Sequence, residues 1–533
     1  MNFIKTDTNP STNKAHQLSN KKIKTLLNQG VKSIQIEDFD SLEKIIESIF
    51  KIDENNFYGF LFALILLNSR QEYGAAISFG IKALNINSES VLVLSQMARA
   101  LFSTGQIKPA EIFLTKSLEL DPKNEIVMFE LARLYIFVSK FEKALDLTEM
   151  LLKTHPENVK YLNLKGSILN NLNRSNEALN CYYKAIYATN QVNLSSVWNY
   201  VSNKKITVED SKLITDIQNM YLSENIKDSS KRSLAFSLGK IYEDLKEYEM
   251  AMDCWDIGNI LTKKKFNFSS EKLNTQMARM YSNQPLKKLK FHPHKDDWFI
   301  NNSKTPIFIV GMPRSGTSLT EQILGCHSQI TPLGELTGIP SAISTIKYNT
   351  NTDVDECLNL IRKNYADYLQ YYDTPNAYFS DKLPNNFENL GWIINAFPEA
   401  KIIHADRDPI ATCFSIYKTY FSAEGLSWAF DMDSIADFYN EYKNWMKLIK
   451  SAFNDSIYLS NYQELVTSPR SHVEKLLSYI GLNFEEECLN FHKSRRVVST
   501  ASMRQVKQPI YKGSSEAWKN YEVWLQPLIR KIT

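Results

Sequence analysis

An internal repeat of 34 residues constrains the first half of this chain more than any other feature. Two columns of small or apolar residues keep this spacing and lie twelve residues apart within each unit: Leu64, Ala98, Ala132 and Gly166, then Ala76, Ala110, Ala144 and Ala178. Pro122 and Pro156 keep the same spacing, and each closes a unit. Three columns that share one period predict an array of stacked units rather than a single globular core.

The residue types in the repeat predict two amphipathic helices in each unit. A small residue is needed where two helices cross closely, because a larger side chain would force them apart. Proline ends the second helix, because it has no backbone N–H to continue the hydrogen-bond ladder. The pattern resembles the tetratricopeptide repeat over residues 55–190, with a further unit at Gly239 and Ala251. We expect an all-α helical-repeat solenoid over residues 21–285, with atypical helices over 191–230.

Stacked repeats of this kind curve and present a concave groove. The resemblance implies that a protein or peptide binds there, while a rigid spacer or a dimerisation arm is the alternative. A homodimer is also left open. Four aromatic residues of the repeats are expected to pack between helices rather than to contact a ligand: Tyr135, Phe141, Tyr182 and Tyr183.

Composition narrows the class of protein further. A net charge of +3 on 533 residues argues against a nucleic-acid-binding surface over the whole chain. The six cysteines are scattered without a CxxC pair, which argues against a disulfide framework or a zinc site and fits a reducing compartment. Residues 1–20 are polar, lack the apolar core of a signal peptide, and are expected to be disordered. No apolar run approaches the roughly 20 residues that a transmembrane helix needs, so we expect a cytoplasmic protein.

The second half of the chain has a different pattern, in which short apolar runs alternate with helical segments. The candidate strands are residues 307–310, 377–380, 401–405 and 456–460, and the helical segments between and after them are 319–324, 386–397, 409–420 and 469–480. Such alternation predicts a parallel sheet with helices on both faces. We expect an α/β, P-loop-like domain over residues 305–533, preceded by a solvated basic linker over 286–304.

The stretch IFIVGMPRSGTS, residues 307–318, fits a phosphate loop at the end of a strand. Thr317 stands where the lysine of an NTPase would be, so the γ-phosphate and magnesium chemistry of an NTPase is lost. Backbone N–H groups and the N-terminus of the next helix can still hold a phosphate. The residues expected around that phosphate are Arg314, which supplies the charge, and Ser315, Gly316, Thr317 and Ser318.

Ligands of open parallel sheets bind beyond the carboxyl ends of the strands. Three of the four predicted strand ends carry a basic residue, and the fourth carries an aromatic one: Arg314, Lys382, Arg407 and Tyr462. The predicted ligand is therefore anionic and has a flat part that can stack on a ring.

These motifs resemble those of sulfotransferases that use 3′-phosphoadenosine 5′-phosphosulfate (PAPS). PRSGTSLTEQIL is similar to their 5′-phosphosulfate loop, and RDPIATCFSIY to their 3′-phosphate site, in which Arg407 and Ser415 match in type and spacing. PLGEL, DKLPNNF and SMRQVKQPIY favour the branch that resembles tyrosylprotein sulfotransferases. The resemblance covers residues 300–533 and implies a sulfotransferase domain.

The resemblance also implies roles for individual residues. Glu335 corresponds to the general base, Lys382 to the lysine that stabilises the bridging oxygen, and Arg314 to a contact of the 5′-phosphate and the sulfuryl group. Ser502 corresponds to a serine near the sulfuryl group. The expected donor-binding residues outside the phosphate loop are Arg407 and Ser415 at the 3′-phosphate, Tyr462 at the adenine, and Lys512 in a late loop over the nucleotide.

The sequence predicts the donor molecule more narrowly than it predicts the acceptor molecule or the type of activity. Animal enzymes of this branch carry an arginine two residues after the base, and Thr337 stands at that position here. Protein tyrosine is the acceptor that the resemblance favours, with a carbohydrate, lipid or small-molecule hydroxyl as the alternative. A P-loop kinase or NTPase, and a repeat scaffold with a nucleotide-sensing α/β domain, are the competing functions. No metal is expected.

Overall fold

The structure is a computed structural model that describes residues 14–188, 193–223, 226–264, 269–346, 353–370, 372–421, 424–493, 513 and 515–532. The chain divides into two compact units, Met1–Thr154 and His155–Thr533. The predicted boundary between solenoid and linker at residue 285 therefore lies inside the second unit. In the part of the chain that the structure describes, no helix combines the length and apolar character needed to cross a bilayer.

The first unit is built from helices that pack in consecutive pairs. They are α1 (Lys14–Gln35), α2 (Phe39–Ile52), α3 (Phe57–Ser69), α4 (Tyr73–Ile86), α5 (Val91–Ser103), α6 (Ile107–Leu120), α7 (Glu125–Phe137) and α8 (Phe141–Thr154). Helix α1 begins at Lys14, inside the segment 1–20 that we expected to be disordered. Residues 14–20 contain neither Gly nor Pro, so nothing in the sequence stops the helix from extending over them.

The repeat columns lie where the paired helices cross, as predicted. Ala76, Ala110 and Ala144 are fully buried on the second helix of their pairs. Ala98 and Ala132 are buried to the same degree on the first helices. These small side chains let neighbouring helices approach closely, and the fold class of a helical-repeat region is confirmed.

The second unit begins with further helices. They are α9 (Val159–Asn171), α10 (Ser175–Tyr187), α11 (Leu194–Asn203), α12 (Ser211–Tyr221), α13 (Asp228–Leu245), α14 (Tyr248–Lys263) and α15 (Ser270–Ser282). The pair α13 and α14 repeats the geometry of α9 and α10. A Cβ on Gly166 would lie 2.4 Å from the Tyr182 ring, and a Cβ on Gly239 would lie 2.4 Å from the Trp255 ring. Both aromatics follow their glycine by sixteen residues, so the two pairs are equivalent units.

Gly239→Ala should destabilise the second unit by about 1–3 kcal/mol, because the added methyl would overlap the Trp255 ring and force it to move. Trp255 is 1% exposed and has little room to yield. All eight tryptophans lie after residue 155, so tryptophan fluorescence in a denaturant titration follows this unit. Gly513→Ala is the control, since a Cβ there meets no atom of the described residues within 4 Å. Equal midpoints for the two variants would contradict the packing argument.

The rest of the second unit is built around a five-stranded parallel sheet with the strand order β2-β3-β1-β4-β5. The strands are β1 (Thr305–Val310), β2 (Ile330–Pro332), β3 (Tyr378–Asp381), β4 (Lys401–Asp406) and β5 (Ile457–Asn461). The four predicted strands are all present, and the three-residue β2 was not predicted. The central strand β1 is buried from Pro306 to Val310, as expected for a strand covered on both faces.

Helices lie between and after the strands. They are α16 (Trp298–Asn301), α17 (Thr317–Leu324), α18 (Gly338–Ser344), α19 (Val354–Leu369), α20 (Leu390–Ala396), α21 (Pro409–Tyr417), α22 (Met432–Ala452), α23 (Tyr462–Thr467), α24 (Pro469–Ile480) and α25 (Gln526–Lys531). Short 3₁₀ helices cover Val208–Asp210, Pro384–Asn389, Glu424–Phe430, Asn454–Ser456, Glu486–Cys488, Phe491–Lys493 and Ala517–Tyr521. The predicted α/β class of this domain is confirmed.

The segment 286–304 is not a freely solvated linker, in contrast to our expectation. Four of its lysines are exposed, but Lys304 is partly buried and its Nζ donates to the Asn376 carbonyl at 2.8 Å. The Leu289 N–H donates to the Asn395 side chain at 2.8 Å. Asp297 forms a 2.6 Å ion pair with Arg362, which is fully buried. The apolar and acidic residues between the lysines therefore dock this segment onto the α/β domain.

Helices α13 and α14 pack directly on α21, so the last repeat is part of the α/β domain. The Asn259 side chain donates to the Tyr417 carbonyl at 2.9 Å. Trp255 and Phe414 contact each other with ring centroids 5.9 Å apart, and Tyr521 lies against both rings. A buried aromatic cluster thus joins the repeat helices to the helix that carries Ser415.

Candidate active site

The phosphate loop has the backbone geometry that its glycines predict. Gly311 and Gly316 have φ values of 150° and 108°. A Cβ on Gly311 would lie 2.5 Å from the Ala405 carbonyl oxygen, and one on Gly316 would lie 2.6 Å from the Tyr462 ring. Glycine is therefore required at both ends of the loop, because the chain passes close to the ends of β4 and β5.

Arg314 lies between these glycines in a left-handed conformation, with φ of 71°. A non-glycine residue in this region is uncommon and often marks a functional site. The Arg314 Nε donates to the Ser415 Oγ at 3.0 Å. The loop therefore contacts the first helix after β4 directly.

Arg407 and Tyr462 complete this group of side chains. The Arg407 Nη1 donates to the Arg314 carbonyl oxygen at 3.2 Å. Its guanidinium lies over the Tyr462 ring, 4.7 Å from the centroid. Asp408 caps α21 by accepting from the Ala411 N–H at 2.7 Å, which fixes the helix that presents Ser415. Four predicted donor-site residues thus meet beyond β1, β4 and β5.

The loop residues 315–318 fit a phosphate group. Ser315, Thr317 and Ser318 are buried. The Ser315 Oγ has no hydrogen-bond partner among the residues that the structure describes. A buried hydroxyl with unused hydrogen-bonding capacity, next to two arginines and a helix N-terminus, suits an oxygen-rich anion such as a phosphate.

Glu335 and Lys382 form an ion pair beyond β2 and β3. The Lys382 side chain is fully buried, whereas that of Glu335 is 44% exposed. The Lys382 N–H also donates to the Gly334 carbonyl at 2.8 Å, which holds the two backbone segments together. The pair consists of a fixed cation and a carboxylate that an incoming molecule can reach.

Asp381 precedes Lys382 and is fully buried. Burial raises the pKa of Asp381 to about 8, although the Tyr365 hydroxyl donates to its Oδ2 at 2.9 Å and opposes the rise. The Asp381 carboxyl therefore keeps its proton over most of the range in which an exposed aspartate is charged. The burial of Asp381 was not predicted from the sequence.

The Asp381 titration predicts a pH-dependent stability. Between about pH 4 and pH 8 the folded protein retains a proton on Asp381 that the unfolded chain has lost. The contribution of Asp381 to the free energy of unfolding therefore falls as pH rises, by at most about 1.4 kcal/mol per pH unit. Asp381→Asn should flatten that fall, measured by denaturant titrations at pH 5, 6, 7 and 8. The exposed Asp373→Asn is the control. If the free energy of unfolding changed with pH equally in Asp381→Asn and in the wild type, the prediction would be wrong.

Glu243 of α13 was not predicted from the sequence. Its carboxylate forms an ion pair with Lys418, which follows α21. Burial opposes ionisation, but the charges of Lys418, Lys240 and Arg314 hold the pKa of Glu243 below its usual range. An acidic side chain from the repeat helices therefore lies within the electrostatic field of the phosphate loop.

Two predicted site residues, Ser502 and Lys512, lie outside the described residues. Their roles stay predictions. Within the ranges that the structure describes, no group of three or more His, Cys, Asp or Glu side chains gathers as a metal site would require.

A cavity of about 810 Å³ lies in the second unit, and neither Glu335 nor Lys382 is among its described lining residues. It lies between α15, the end of α18 and the 3₁₀ helix that begins two residues after Lys382. Its lining residues are Ser269, Glu271, Thr275, Met280, Asn283, Gln284, Ile343, Glu388, Asn389 and Trp392. Two of these described side chains are acidic and none is basic.

Two family profiles match parts of this chain. Residues 306–486 match the profile of the Sulfotransferase family, and residues 93–124 and 159–191 match the tetratricopeptide repeat. The chain therefore joins tetratricopeptide repeats to a sulfotransferase-family domain, and this prediction from the sequence is confirmed.

Two curated relatives and one solved structure illustrate the similarity. An uncharacterised protein of Aquifex aeolicus is 31% identical over 61% of this chain and 45% of its own length. Protein-tyrosine sulfotransferase 1 of Danio rerio is 24% identical over 39% of this chain and 62% of its own length. The chain thus spans less than two thirds of either relative. A tetratricopeptide repeat protein from Parabacteroides merdae has 12% identity and a TM-score of 0.36, covering 48% of this chain and 97% of its own.

Proposed function

We propose that the protein is a sulfotransferase that moves a sulfuryl group from PAPS to an acceptor hydroxyl. One observation carries this proposal: an anion-binding group and a lysine–carboxylate pair lie at neighbouring strand ends. Arg314 contacts Ser415 and Arg407 beyond β1 and β4, and Lys382 pairs with Glu335 beyond β3, which is next to β1. Cations that surround a transferred anionic group stabilise the charge that develops on it.

The donor site has a separate place for each part of the nucleotide. The phosphate loop and the N-terminus of α17 bind the 5′-phosphate. Arg407 presents a planar guanidinium to the 3′-phosphate, with the Ser415 hydroxyl beside it. The Tyr462 ring offers a flat surface for the adenine. The bound donor supplies the sulfuryl group.

The chemistry at the acceptor depends on the ion pair. Glu335 accepts the proton of the acceptor hydroxyl, because a phenol with a pKa of about 10 is a weak nucleophile at neutral pH. Lys382 donates to the bridging oxygen, and Arg314 donates to the sulfuryl oxygens. These cations balance the transferred charge, so we propose no metal ion in the reaction.

Peptide tyrosine is the first candidate acceptor. Its support is the name of the Danio rerio relative, together with repeats that suit protein binding in the cytoplasm. An uncharged hydroxyl compound, such as a carbohydrate, is the second. Its support is the cavity between α15 and the 3₁₀ helix that follows Lys382, whose described lining includes the carboxylates of Glu271 and Glu388 as hydrogen-bond acceptors for hydroxyl groups.

Calorimetry with adenosine 3′,5′-bisphosphate tests the donor site, and a labelled-sulfate screen over peptide, glycan and phenolic acceptors then tests the transfer. We expect micromolar binding that weakens at least tenfold in Arg407→Ala, since hydrogen bonds to charged groups contribute about 1.5–3 kcal/mol. Arg470→Ala is the control, because that exposed arginine pairs with Glu486 elsewhere in the domain. Tighter binding of ATP would favour an NTPase, and binding without any transfer would favour a sensor with a scaffold role.

A further inference from the structure

Glu321 is a buried carboxylate that the proposed chemistry does not use. It lies one turn into α17, the helix that follows the phosphate loop, and is 5% exposed. Its neighbours on this helix are apolar or uncharged. A charged side chain is rarely buried at such a position unless hydrogen bonds hold it.

Two segments of the candidate active site donate to this carboxylate. The Gly334 N–H donates to the Glu321 Oε1 at 2.9 Å, and the Ser380 Oγ donates to the same atom at 3.0 Å. Gly334 directly precedes Glu335 and has a left-handed φ of 76°. Ser380 is fully buried and precedes Asp381 and Lys382.

The Gly334 turn and the end of β3 are also joined directly, by the Lys382 N–H to the Gly334 carbonyl, whereas Glu321 joins both of them to α17. Along the chain, Glu321 is 13 residues from Gly334 and 59 from Ser380. One oxygen atom therefore joins the helix of the phosphate loop to the turn before Glu335 and to the strand before Lys382. Two donors from different segments converge on this one buried oxygen, so it can fix the relative positions of the three segments.

We propose that Glu321 is a positioning residue that couples the donor-binding loop to Glu335 and Lys382. A small displacement of α17 on nucleotide binding is passed through the Glu321 carboxylate to the Gly334 turn. The base and the lysine thus reach their working positions relative to the bound donor. This inference rests on the proposed transferase function for its kinetic consequence, but its structural part can be tested without any acceptor.

Hydrogen–deuterium exchange of the peptide that contains residues 333–336 provides that test. In the wild type, saturating adenosine 3′,5′-bisphosphate should slow exchange in this peptide. In Glu321→Leu the Gly334 amide should exchange about tenfold faster than in the wild type, and the nucleotide should no longer slow it, because the bond to a charged acceptor is gone. The nucleotide affinity should stay within about threefold, since the hydrogen bonds from Gly334 and Ser380 to Glu321 come from the β2 and β3 segments rather than from the phosphate loop.

Kinetics provide the second readout. Glu321→Gln should lower kcat by about 10–100-fold with little change in the donor KM, as for other residues that orient a catalytic group. Ser380→Ala should have a smaller effect, and the double variant should be less impaired than the product of the two single effects. A residue that only stabilised the fold would not separate kcat from donor binding in this way.

Gln322→Met is the matched control, because Gln322 is the next residue on α17 and is 3% exposed. It should leave exchange, affinity and kcat unchanged. Unaltered exchange at residues 333–336 in Glu321→Leu would overturn the inference whether or not transfer is found. Failure of the wild type to bind nucleotide or transfer sulfate would instead overturn the proposed function, and the exchange without nucleotide would still decide the role of Glu321.

Discussion

Lys382→Met should lower turnover by about 10²–10³-fold while the affinity for adenosine 3′,5′-bisphosphate changes little. The loss is large because the buried ammonium is fixed before the reaction begins, and removing one such donor typically has an effect of this size. Lys382 is fully buried and paired with Glu335, so no other side chain can move in to replace it without rearrangement. Methionine keeps most of the side-chain volume, which limits the effect on packing.

Steady-state transfer assays with calorimetry on the same samples measure the two quantities separately. Lys401→Met is the matched control, because Lys401 is the first residue of β4 and so lies at the amino ends of the parallel strands, opposite to the candidate site. It should keep full turnover. Glu335→Gln should lower turnover by about 10²–10⁴-fold, as expected when a general base is removed. The Glu335 side chain is 44% exposed, so this substitution should leave the fold intact. Near-normal transfer by Lys382→Met would remove this residue from the chemistry.

Deleting residues 1–290 should abolish folding of the α/β domain, whereas deleting residues 1–154 should preserve nucleotide binding. The longer deletion removes α13 and α14 and exposes the aromatic cluster of Phe414 and Tyr521. Each large apolar side chain exposed costs about 1.5–3 kcal/mol, and a domain has only about 5–15 kcal/mol in total. The shorter deletion follows the boundary between the two compact units.

Calorimetry and tryptophan fluorescence distinguish the two truncations. The chain that begins at His155 keeps all eight tryptophans, so its unfolding curve can be compared directly with that of the full chain. Cooperative unfolding and normal nucleotide affinity of the chain that begins at residue 291 would show that the repeat helices are dispensable, contrary to our expectation. If removal of residues 1–154 abolishes transfer to a peptide but not to a small phenol, the first unit delivers the peptide acceptor.

The sequence predicted those parts of the fold that depend on local periodicity. The alanine columns mark helix crossings, and the apolar runs at β1, β3, β4 and β5 mark strands, of which β5 is only partly buried. The strand β2 escaped prediction because Ile330–Pro332 is too short to show a period. The docking of α13 and α14 on α21 escaped it because that packing depends on partners more than 150 residues away along the chain.

For the candidate site, the position of strand ends was sufficient to select Arg314, Lys382 and Arg407. It did not predict how they contact one another, since the left-handed conformation of Arg314 depends on how the loop folds. Nor did it find Glu321. The signal was present in TSLTEQIL, where a carboxylate stands in a helix that is otherwise apolar or uncharged, but its partners come from two other segments.

The interlocking of α14 with α21 also bears on how such chains diversify. Because Asn259 donates to the Tyr417 carbonyl and Trp255 packs against Phe414, α14 cannot be exchanged in evolution without altering the helix that carries Ser415. Natural variation in repeat number, and any chimera made in the laboratory, should therefore concentrate in the first compact unit, before His155. New binding specificities can arise there while the sulfotransferase-family domain is inherited intact.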